Sequence, residues 1–268
     1  MIRLCALYGV TRAGYYAWIQ RGISHRTEQD RGLVEKIGSI FEASHGTYGS
    51  PRVHRELARG GVRVSRRRVA RLMAAAGMRG RVARVYRSRA RLKHLFAKHP
   101  NRLWRCTARR PDSVWVGDVT YLKVDRHWCY LAVVVDQYSR RVLGWSLMRT
   151  RGVMLTRDAF DAAYRRRRPK RLIFHSDRGM EYAAPDYVKH LKNLGVRQSM
   201  TGGGAPSENP HAESFFHSLK ADVIHGAEFM TDESLRACLR WYVSFYNRRR
   251  LHSSLGYRPP AEFEEKVA

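Results

Sequence analysis

The sequence predicts a mixed α/β domain with flanking helices, preceded by an all-α and strongly basic region. Apolar residues recur at helical spacing in the first part of the chain, whereas near-continuous apolar runs typical of buried strands begin after Pro111. The charge balance changes at the same place, which we take as a domain boundary. With 268 residues and 44% apolar side chains, the chain is long and apolar enough to bury a sizeable core.

The N-terminal helices are indicated by capping residues and by apolar spacing. The range 4–21 is predicted to form two short helices, with Thr11 at the N-cap of the second after a turn at Gly9. Between Thr27 and Ser44, apolar side chains recur every three or four residues, which predicts a longer helix. The chain therefore begins as a helical region.

Two shorter helices follow, joined by a tight Gly-Gly connection. Pro51 stands at the first position of the helix over 51–59, and Ser65 caps the helix over 66–76. The start of this second helix is crowded with basic side chains, namely Arg66, Arg67, Arg68 and Arg71. In a helix-turn-helix, the second helix presents its N-terminal residues to the major groove, so we predict that these arginines bind DNA. The alternative is a basic helical hairpin that touches only phosphates.

The net charge of +28 indicates a polyanionic partner, most simply nucleic acid. Residues 51–110 carry 20 basic residues and one acidic residue, whereas residues 111–268 carry 25 basic and 18 acidic residues. The middle block is therefore the expected electrostatic footprint, and the arginine-rich range 79–98 is predicted to be a linker along the DNA backbone. The alternative is a surface that is merely basic.

Membrane, secreted and zinc-cage proteins are disfavoured. No run of eighteen apolar residues is present, so no membrane span is predicted, and the first residues lack the long apolar run of a secretory signal. The four cysteines lie far apart without a Cys-x-x-Cys pair, which fits a reducing cytoplasm. The same spacing argues against a zinc module built from His94, His99, Cys106 and Cys129.

The second part of the chain predicts the element order β-β-β-α-β-α. The strands are predicted over 113–124, 128–136, 139–147 and 171–175, and the helices over 151–167 and 182–194. Short connections between the first three strands predict a meander, and the crossover helix predicts that the fourth strand enters the same sheet.

Three carboxylates occupy positions that indicate a metal site. Asp118 lies within an apolar strand, where a charge is costly unless it is paired or binds a metal. Asp177 follows the fourth strand, and Glu213 opens an amphipathic helical stretch. Three such carboxylates can hold two Mg²⁺ ions for an in-line phosphoryl displacement. Each residue alone would be interpreted as a surface or capping carboxylate.

The sequence resembles bacterial insertion-sequence transposases of the B-frame (OrfB) type, whose core belongs to the retroviral-integrase, ribonuclease-H-like superfamily. The resemblance is carried by the segments 115–121, 175–179 and 212–220, by the tail 246–260 and by the N-terminal segments 14–18 and 47–49. The 35 residues between Asp177 and Glu213 match the spacing of the family's Asp, Asp, 35, Glu signature. The resemblance therefore identifies Asp118, Asp177 and Glu213 as the catalytic, metal-binding residues.

One segment departs from the family pattern. Relatives carry Asp-Asn-Ala shortly before the glutamate, whereas this chain has Glu208-Asn209-Pro210 after a Gly-rich stretch. Glu208 is therefore a rival third carboxylate. We prefer Glu213, because the resemblance selects it and because a flexible loop would position Glu208 poorly. The departure also leaves open that this copy is impaired.

The resemblance implies a division of the chain into four parts. These are a helix-turn-helix-like DNA-binding region at 1–80, a basic linker at 81–111, a ribonuclease-H-like core at 112–225 and a helical extension at 226–268. It implies a DNA transposase with a helix-turn-helix module, which cleaves element ends and transfers strands with Mg²⁺, two ions per site, for which Mn²⁺ substitutes. It further implies a homo-oligomer on double-stranded DNA, possible fusion to an upstream A-frame product, no membrane, and a cytoplasmic, nucleoid-associated location.

Several further residues are assigned from spacing. Lys220 lies seven positions after Glu213 on the same helix face, so it is either a DNA-phosphate contact or a surface lysine. His217 is expected near the site without binding metal, and Asp136 is interpreted as a turn carboxylate. The arginine run 165–168 is interpreted as a solvated helix end that tracks DNA.

Two other functions remain open at this stage. A transposase-derived repressor or relic would bind DNA without catalysis, and the intact carboxylates argue against it. A ribonuclease-H-type nuclease would cut RNA–DNA hybrids, and the basic N-terminal helices argue against that.

Overall fold

The fold was analysed in a computed structural model, which describes residues 1–20, 24–81, 101–103, 108–202 and 209–267. The chain divides into two compact units, Met1–Arg81 and Val82–Ala268. The finer four-part division stays a prediction, and most of the proposed basic linker lies outside the described residues.

The N-terminal unit is all helical, as predicted. Its helices are α1 (Ile2–Leu7), α2 (Arg12–Gln20), α3 (His25–Ala43), α4 (Ser50–Arg59) and α5 (Arg66–Ala75). The Ser65 hydroxyl accepts a hydrogen bond from the Arg68 backbone N–H at 3.2 Å, which confirms the predicted N-cap of α5. Ile37 of α3, Val53 of α4 and Val69 of α5 are completely buried, so these three helices share one apolar core.

The second unit contains a five-stranded sheet with helices around it. Its elements are β1 (Val114–Val124), β2 (His127–Asp136), β3 (Val142–Met148), α6 (Val153–Arg167), β4 (Ile173–Ser176), α7 (Met180–Ala183), α8 (Pro185–Asn193), β5 (Arg197–Met200), α9 (Pro210–Leu219), a π-helical turn (Lys220–Ile224), α10 (Asp232–Arg248), a 3₁₀ turn (Ser253–Leu255) and α11 (Pro260–Glu265). None of the helices in the described ranges is long and apolar enough to cross a bilayer.

The strand order in the sheet is β3-β2-β1-β4-β5. The first three strands form an antiparallel meander, and β4 and β5 run parallel to β1, which confirms the predicted mixed sheet and its crossover through α6. The fifth strand was not predicted. Its sequence, Arg-Gln-Ser-Met, is too short and too polar to give a strand pattern, and it forms because β4 offers an unpaired edge.

The predicted single helix over 182–194 is wrong. The structure has two helices here, α7 and α8, separated by Ala184 in an extended conformation at φ −60° and ψ 136°. The cause is Pro185, because a proline disfavours helical geometry in the residue before it and is well suited to the first position of a new helix. The break turns the chain directly after the loop that carries Asp177.

Helix α6 packs closely on the meander. Its Phe160 contacts the rings of Trp115 and Phe174, and all three side chains are fully buried. Gly144 of β3 permits this approach, because a Cβ atom there would collide with the backbone of α6 at Ala159. Helices α9 and α10 also pack on the sheet, α9 against β1 and β2 and α10 against β3.

Candidate active site

Asp118 and Asp177 lie side by side because two parallel strands are in register. Val114 to Gly117 pair with Ile173 to Ser176, and each aspartate is the residue that follows its paired segment. Strand β4 ends there, whereas β1 continues, so the sheet opens beside the two carboxylates. The strand-end position predicted for Asp177 is therefore confirmed, and this opening is where open α/β sheets bind ligands.

Glu213 reaches the same region because the start of α9 is fastened to β1. The buried Asn209 side chain donates through Nδ2 to the Gly117 carbonyl oxygen at 3.0 Å. The Asn209 carbonyl in turn accepts the Glu213 backbone N–H at 3.3 Å, as the first bond of the helix. Pro210 occupies the first turn, where its missing N–H costs nothing. One residue thus connects the third carboxylate to the strand of the first.

The charges of Asp177 and Glu213 both act on Asp118. Burial and, after it, the negative charges of Asp177 and Glu213 together raise the pKa of Asp118 to about 8, against the opposing effects of the Val119 N–H and the Arg151 charge. Burial also raises the pKa values of Asp177 and Glu213. Removing this mutual repulsion requires protons or cations.

The carboxylates are arranged more openly than the ligands of a single ion. Among the described residues, they do not form a cluster in which all donor atoms lie within 4.8 Å. Glu208, the rival third carboxylate, lies outside the described residues.

The chain matches known protein families over most of its length. Residues 108–206 and 194–260 each match an integrase core domain family, and residues 28–86 match an HTH-like domain family. Transposase InsF of the insertion sequence IS3A from Escherichia coli (strain K12) is 37% identical, over 98% of this chain and 93% of that protein. The chain belongs to the IS3 family of insertion-sequence transposases. Its fold is the ribonuclease-H-like integrase core preceded by a helix-turn-helix-like region, as predicted.

Other relatives of this IS3-family chain span similar lengths. The uncharacterized 31 kDa protein of insertion element IS600 from Shigella sonnei is 35% identical, over 98% of each chain. Among solved structures, the HTLV-2 integrase catalytic core domain in complex with magnesium covers 58% of this chain and 97% of its own, at 18% identity and a TM-score of 0.44.

Around the carboxylates of this IS3-family chain, two arginines that the sequence analysis did not single out fix the loops. Arg151 donates to the buried Glu181 carboxylate through Nε at 3.0 Å and Nη2 at 2.7 Å, directly beside Asp177. Arg178 donates to the carbonyl oxygens of Thr201 and Gly202 at 2.6 and 2.9 Å. Neither pairing has a local sequence signal, because the partners lie at least 23 residues apart.

Lys220 lies beside the site, as its spacing suggested. Its Nζ lies 5.3 Å from the centre of the Tyr121 ring, and the negative charge of Asp118 partly offsets the lowering of its pKa by burial. His217 is exposed on α9. Asp136 is a turn carboxylate, as interpreted, because it accepts hydrogen bonds from the backbone N–H groups of Asp112 and Ser139, both at 2.8 Å.

The four arginines of α5 divide into two pairs. Arg68 Nε and Arg71 Nη2 donate to Asp30 of α3 at 2.7 and 2.6 Å, and these bonds hold the pKa of Asp30 below its usual value, Arg71 contributing most. Arg66 and Arg67 are exposed and make no ion pair within the described part of the chain. DNA contact stays a prediction for all four, and Arg68 and Arg71 already use one donor each on Asp30.

The interpretation of the run 165–168 as solvated is wrong for Arg167. Its Nη2 donates to Glu264 at 2.8 Å and its Nε to Asp112 at 3.0 Å. The interpretation failed because Glu264 lies on α11, almost 100 residues away. The helix end is therefore tied to the C-terminal helix.

Cys129 belongs to a separate polar cluster at the start of α10. Asp232 accepts hydrogen bonds from His127 Nε2 at 2.7 Å, from Cys129 Sγ at 3.5 Å and from Arg149 Nε at 2.7 Å. Arg149 and His127 hold the pKa of Asp232 down to about 2, so a cation already neutralises this carboxylate. His94, His99 and Cys106, the other members of the zinc module considered above, lie outside the described residues.

Replacing Asn209 is expected to destabilise the second unit. Asn209→Ala removes the donor to Gly117 and leaves that carbonyl oxygen without its partner, which should lower the free energy of unfolding by about 1–3 kcal/mol. Asn209→Asp, of the same size, places a carboxylate against the carbonyl and should cost at least as much. Urea unfolding followed by circular dichroism measures both, and an Asn209→Ala loss below about 0.5 kcal/mol would contradict the fastening role.

Stability without divalent metal should depend on Asp118 and pH. The carboxyl ionises near 3.8 in its ordinary state and near 8 in the fold, so the folded state holds an extra proton between these values. The contribution of the protonated Asp118 carboxyl to the free energy of unfolding is present at low pH and is lost as the pH rises towards 8. Asp118→Asn should therefore gain stability over the parent from pH 5 to 7.5, by up to about 1.4 kcal/mol per pH unit. Urea unfolding measures the free energy of unfolding of both proteins. A difference between Asp118→Asn and the parent that stays constant from pH 5 to 7.5 would refute this coupling.

Proposed function

We propose that this chain cleaves the ends of its insertion sequence and joins them to another DNA strand, in a reaction that depends on Mg²⁺. The observation that carries this proposal is the strand register that sets Asp118 beside Asp177, together with the Asn209 bridge that brings Glu213 to them. Membership of the IS3 transposase family gives the reaction class.

The donor set fits Mg²⁺. All three groups are carboxylates, the hard oxygen ligands that this ion prefers, and burial together with mutual repulsion gives a cation a reason to bind. Two bound Mg²⁺ ions would supply activation of the attacking oxygen and stabilisation of the leaving oxygen. Asp118, Asp177 and Glu213 would hold them, and Mn²⁺, also an oxygen-preferring ion, should substitute.

The reaction needs no covalent link between protein and DNA. Water loses a proton and forms a new bond to phosphorus at the element's end, while the bond to the 3′-oxygen breaks and that oxygen leaves as a hydroxyl. The freed 3′-hydroxyl then attacks a phosphodiester of a second strand. Its oxygen forms a new bond to phosphorus, and the bond from that phosphorus to an oxygen of the second strand breaks. The chain's residues position the phosphates, and Lys220 beside Asp118 is suited to neutralise a phosphate of the bound strand.

The DNA and protein partners follow from this chemistry. Two ends must be joined, so we propose that the protein acts as a homo-oligomer on double-stranded DNA, with Arg66, Arg67, Arg68 and Arg71 contributing to DNA binding. We also propose a copy-out, paste-in route through a circular intermediate, fusion to an upstream A-frame product, and a cytoplasmic location on the nucleoid.

A joining assay tests the proposal. Duplex DNA from both flanks of the reading frame is incubated with the full chain and Mg²⁺ or Mn²⁺, and new 3′-ends and joined strands are mapped by sequencing. We expect cleavage at one fixed position per flank and metal-dependent joined products. If neither this chain nor its fusion to the A frame cleaves DNA that it binds, the chain is a DNA-binding relic. Cleavage confined to an RNA–DNA hybrid would instead identify a ribonuclease.

A further inference from the structure

A cavity of about 450 Å³ opens at the outer edge of β3, away from the three carboxylates. Its walls are the start of β3, the end of α6 and the second half of α10, and five arginines line it, namely Arg141, Arg166, Arg167, Arg240 and Arg248. Strand β3 is the edge strand, and β2 separates it from β1, the strand of Asp118. The cavity is therefore distinct from the candidate active site.

The positive charge of the cavity is only partly balanced. Arg141 and Arg167 share one carboxylate, Glu264, and Arg167 also binds Asp112. The other three arginines, on α6 and α10, are exposed and form no ion pair with any residue in the described ranges. Like charges gathered in one concavity repel one another unless an anion enters, so this arrangement favours binding of a polyanion.

Two walls of the cavity, β3 and α10, are joined by hydrogen bonds. Asn247 of α10 pairs with the β3 backbone in both directions, accepting the Val142 N–H at 2.9 Å and donating to the Val142 carbonyl at 2.8 Å. Arg240 and Arg248 lie eight residues apart on α10, which separates them by about 12 Å along the helix axis and leaves both facing the cavity. That span covers several phosphates of one DNA strand.

We propose that this arginine-lined cavity binds the phosphodiester backbone of a DNA duplex, at a segment other than the strand held by the three carboxylates. Guanidinium groups match phosphate oxygens in bidentate geometry, and three unpaired guanidiniums on a rigid wall supply such contacts without reading bases. The site thereby gives the catalytic unit a second, sequence-independent grip on DNA, as a complex that joins two DNA segments requires.

The test measures binding with no chemistry. All proteins carry Asp177→Asn, divalent metal is absent, and the probe is a random-sequence duplex of about 30 base pairs. The cavity variant combines Arg166→Gln, Arg240→Gln and Arg248→Gln. The matched control combines Arg110→Gln, Arg171→Gln and Arg197→Gln, which removes the same charge from exposed arginines of the same unit outside the cavity. Thermal melting confirms that each variant is folded.

We expect the cavity variant to bind at least about tenfold more weakly and to lower the slope of log affinity against log salt by about 2 to 3. The control should lose less than about threefold, because distant exposed charges are screened. A local readout completes the test. With photoreactive benzoylphenylalanine in place of Trp145, which lines the cavity, crosslinking to the duplex should fall in the cavity variant alone.

The proposal is overturned if the cavity variant and the control change affinity and salt slope equally, or if crosslinking from position 145 is absent or unaffected by the three substitutions. None of these results bears on catalysis, which the joining assay tests separately.

Discussion

Asp118→Asn, Asp177→Asn and Glu213→Gln are each expected to lower the rate of strand joining at least about 1000-fold under single-turnover conditions. Each substitution removes a charged oxygen ligand where cations have to balance three carboxylates, and the loss of several kcal/mol of transition-state stabilisation corresponds to a factor of this size. Joined product is quantified from end-labelled flank DNA. DNA binding without metal should be retained, because the substitutions remove negative charge from a basic protein.

Glu208→Gln is the control for the third carboxylate. Its rate should stay within about threefold of the parent, since the resemblance assigns the catalytic position to Glu213. Loss of joining in Glu208→Gln, together with its survival in Glu213→Gln, would show that Glu208 and not Glu213 is the third catalytic carboxylate.

Arg250→Ala is expected to lower the free energy of unfolding of the second unit by about 3–5 kcal/mol. Arg250 Nε donates to Asp222 at 2.6 Å, and both residues are buried. Arg250 lies on the tail that carries the family's C-terminal signature, and Asp222 lies on the π-helical turn after α9. The substitution removes this charged donor from a buried carboxylate that also accepts the Tyr242 hydroxyl at 2.8 Å. Chemical denaturation monitored by circular dichroism measures the loss.

Arg248→Gln, two residues earlier on the exposed surface, is the matched stability control and should change the free energy of unfolding by less than about 0.5 kcal/mol. Equal stabilities of Arg250→Ala and Arg248→Gln would show that the buried ion pair is not a structural anchor.

The same tail supports the helix of Glu213. Tyr246 lies edge-on to Phe215 of α9, with ring centres 4.9 Å apart, and against His252 at 4.5 Å. Asn247 binds the first residue of β3. Packing therefore explains the C-terminal signature, because this segment holds α9 and the sheet together. Its contact on α9, Phe215, lies two residues after Glu213.

Local sequence patterns were sufficient to predict the helices and strands whose formation depends on neighbouring residues. The apolar run before Asp136 predicted a buried strand, and Pro51 and Ser65 predicted where two helices begin, because these signals act within a few residues. Strand β5 was missed because it forms only by pairing with the edge of β4. The break at Pro185 was missed because a single residue interrupts an otherwise helical pattern.

The three carboxylates of the candidate site could be proposed from the sequence, whereas the residues that support them could not. Asp118, Asp177 and Glu213 were found through strand ends and the family spacing, whereas Asn209 contacts Gly117 across 92 residues of sequence. The pairing of Arg68 and Arg71 with Asp30 spans about 40 residues in the same way. Long-range partners of this kind leave no periodic signal, so only the three-dimensional arrangement identifies them.

The central claim is that the carboxylates act by holding metal ions, and Asp118→Cys tests it most directly. Mg²⁺ prefers hard oxygen ligands, whereas Mn²⁺ is the softer of the two ions and tolerates a thiolate. Strand joining by Asp118→Cys should be lost in Mg²⁺ and substantially recovered in Mn²⁺, while Asp118→Asn stays inactive in both. Joining by Asp118→Cys in Mg²⁺ at the parent's rate would contradict the claim.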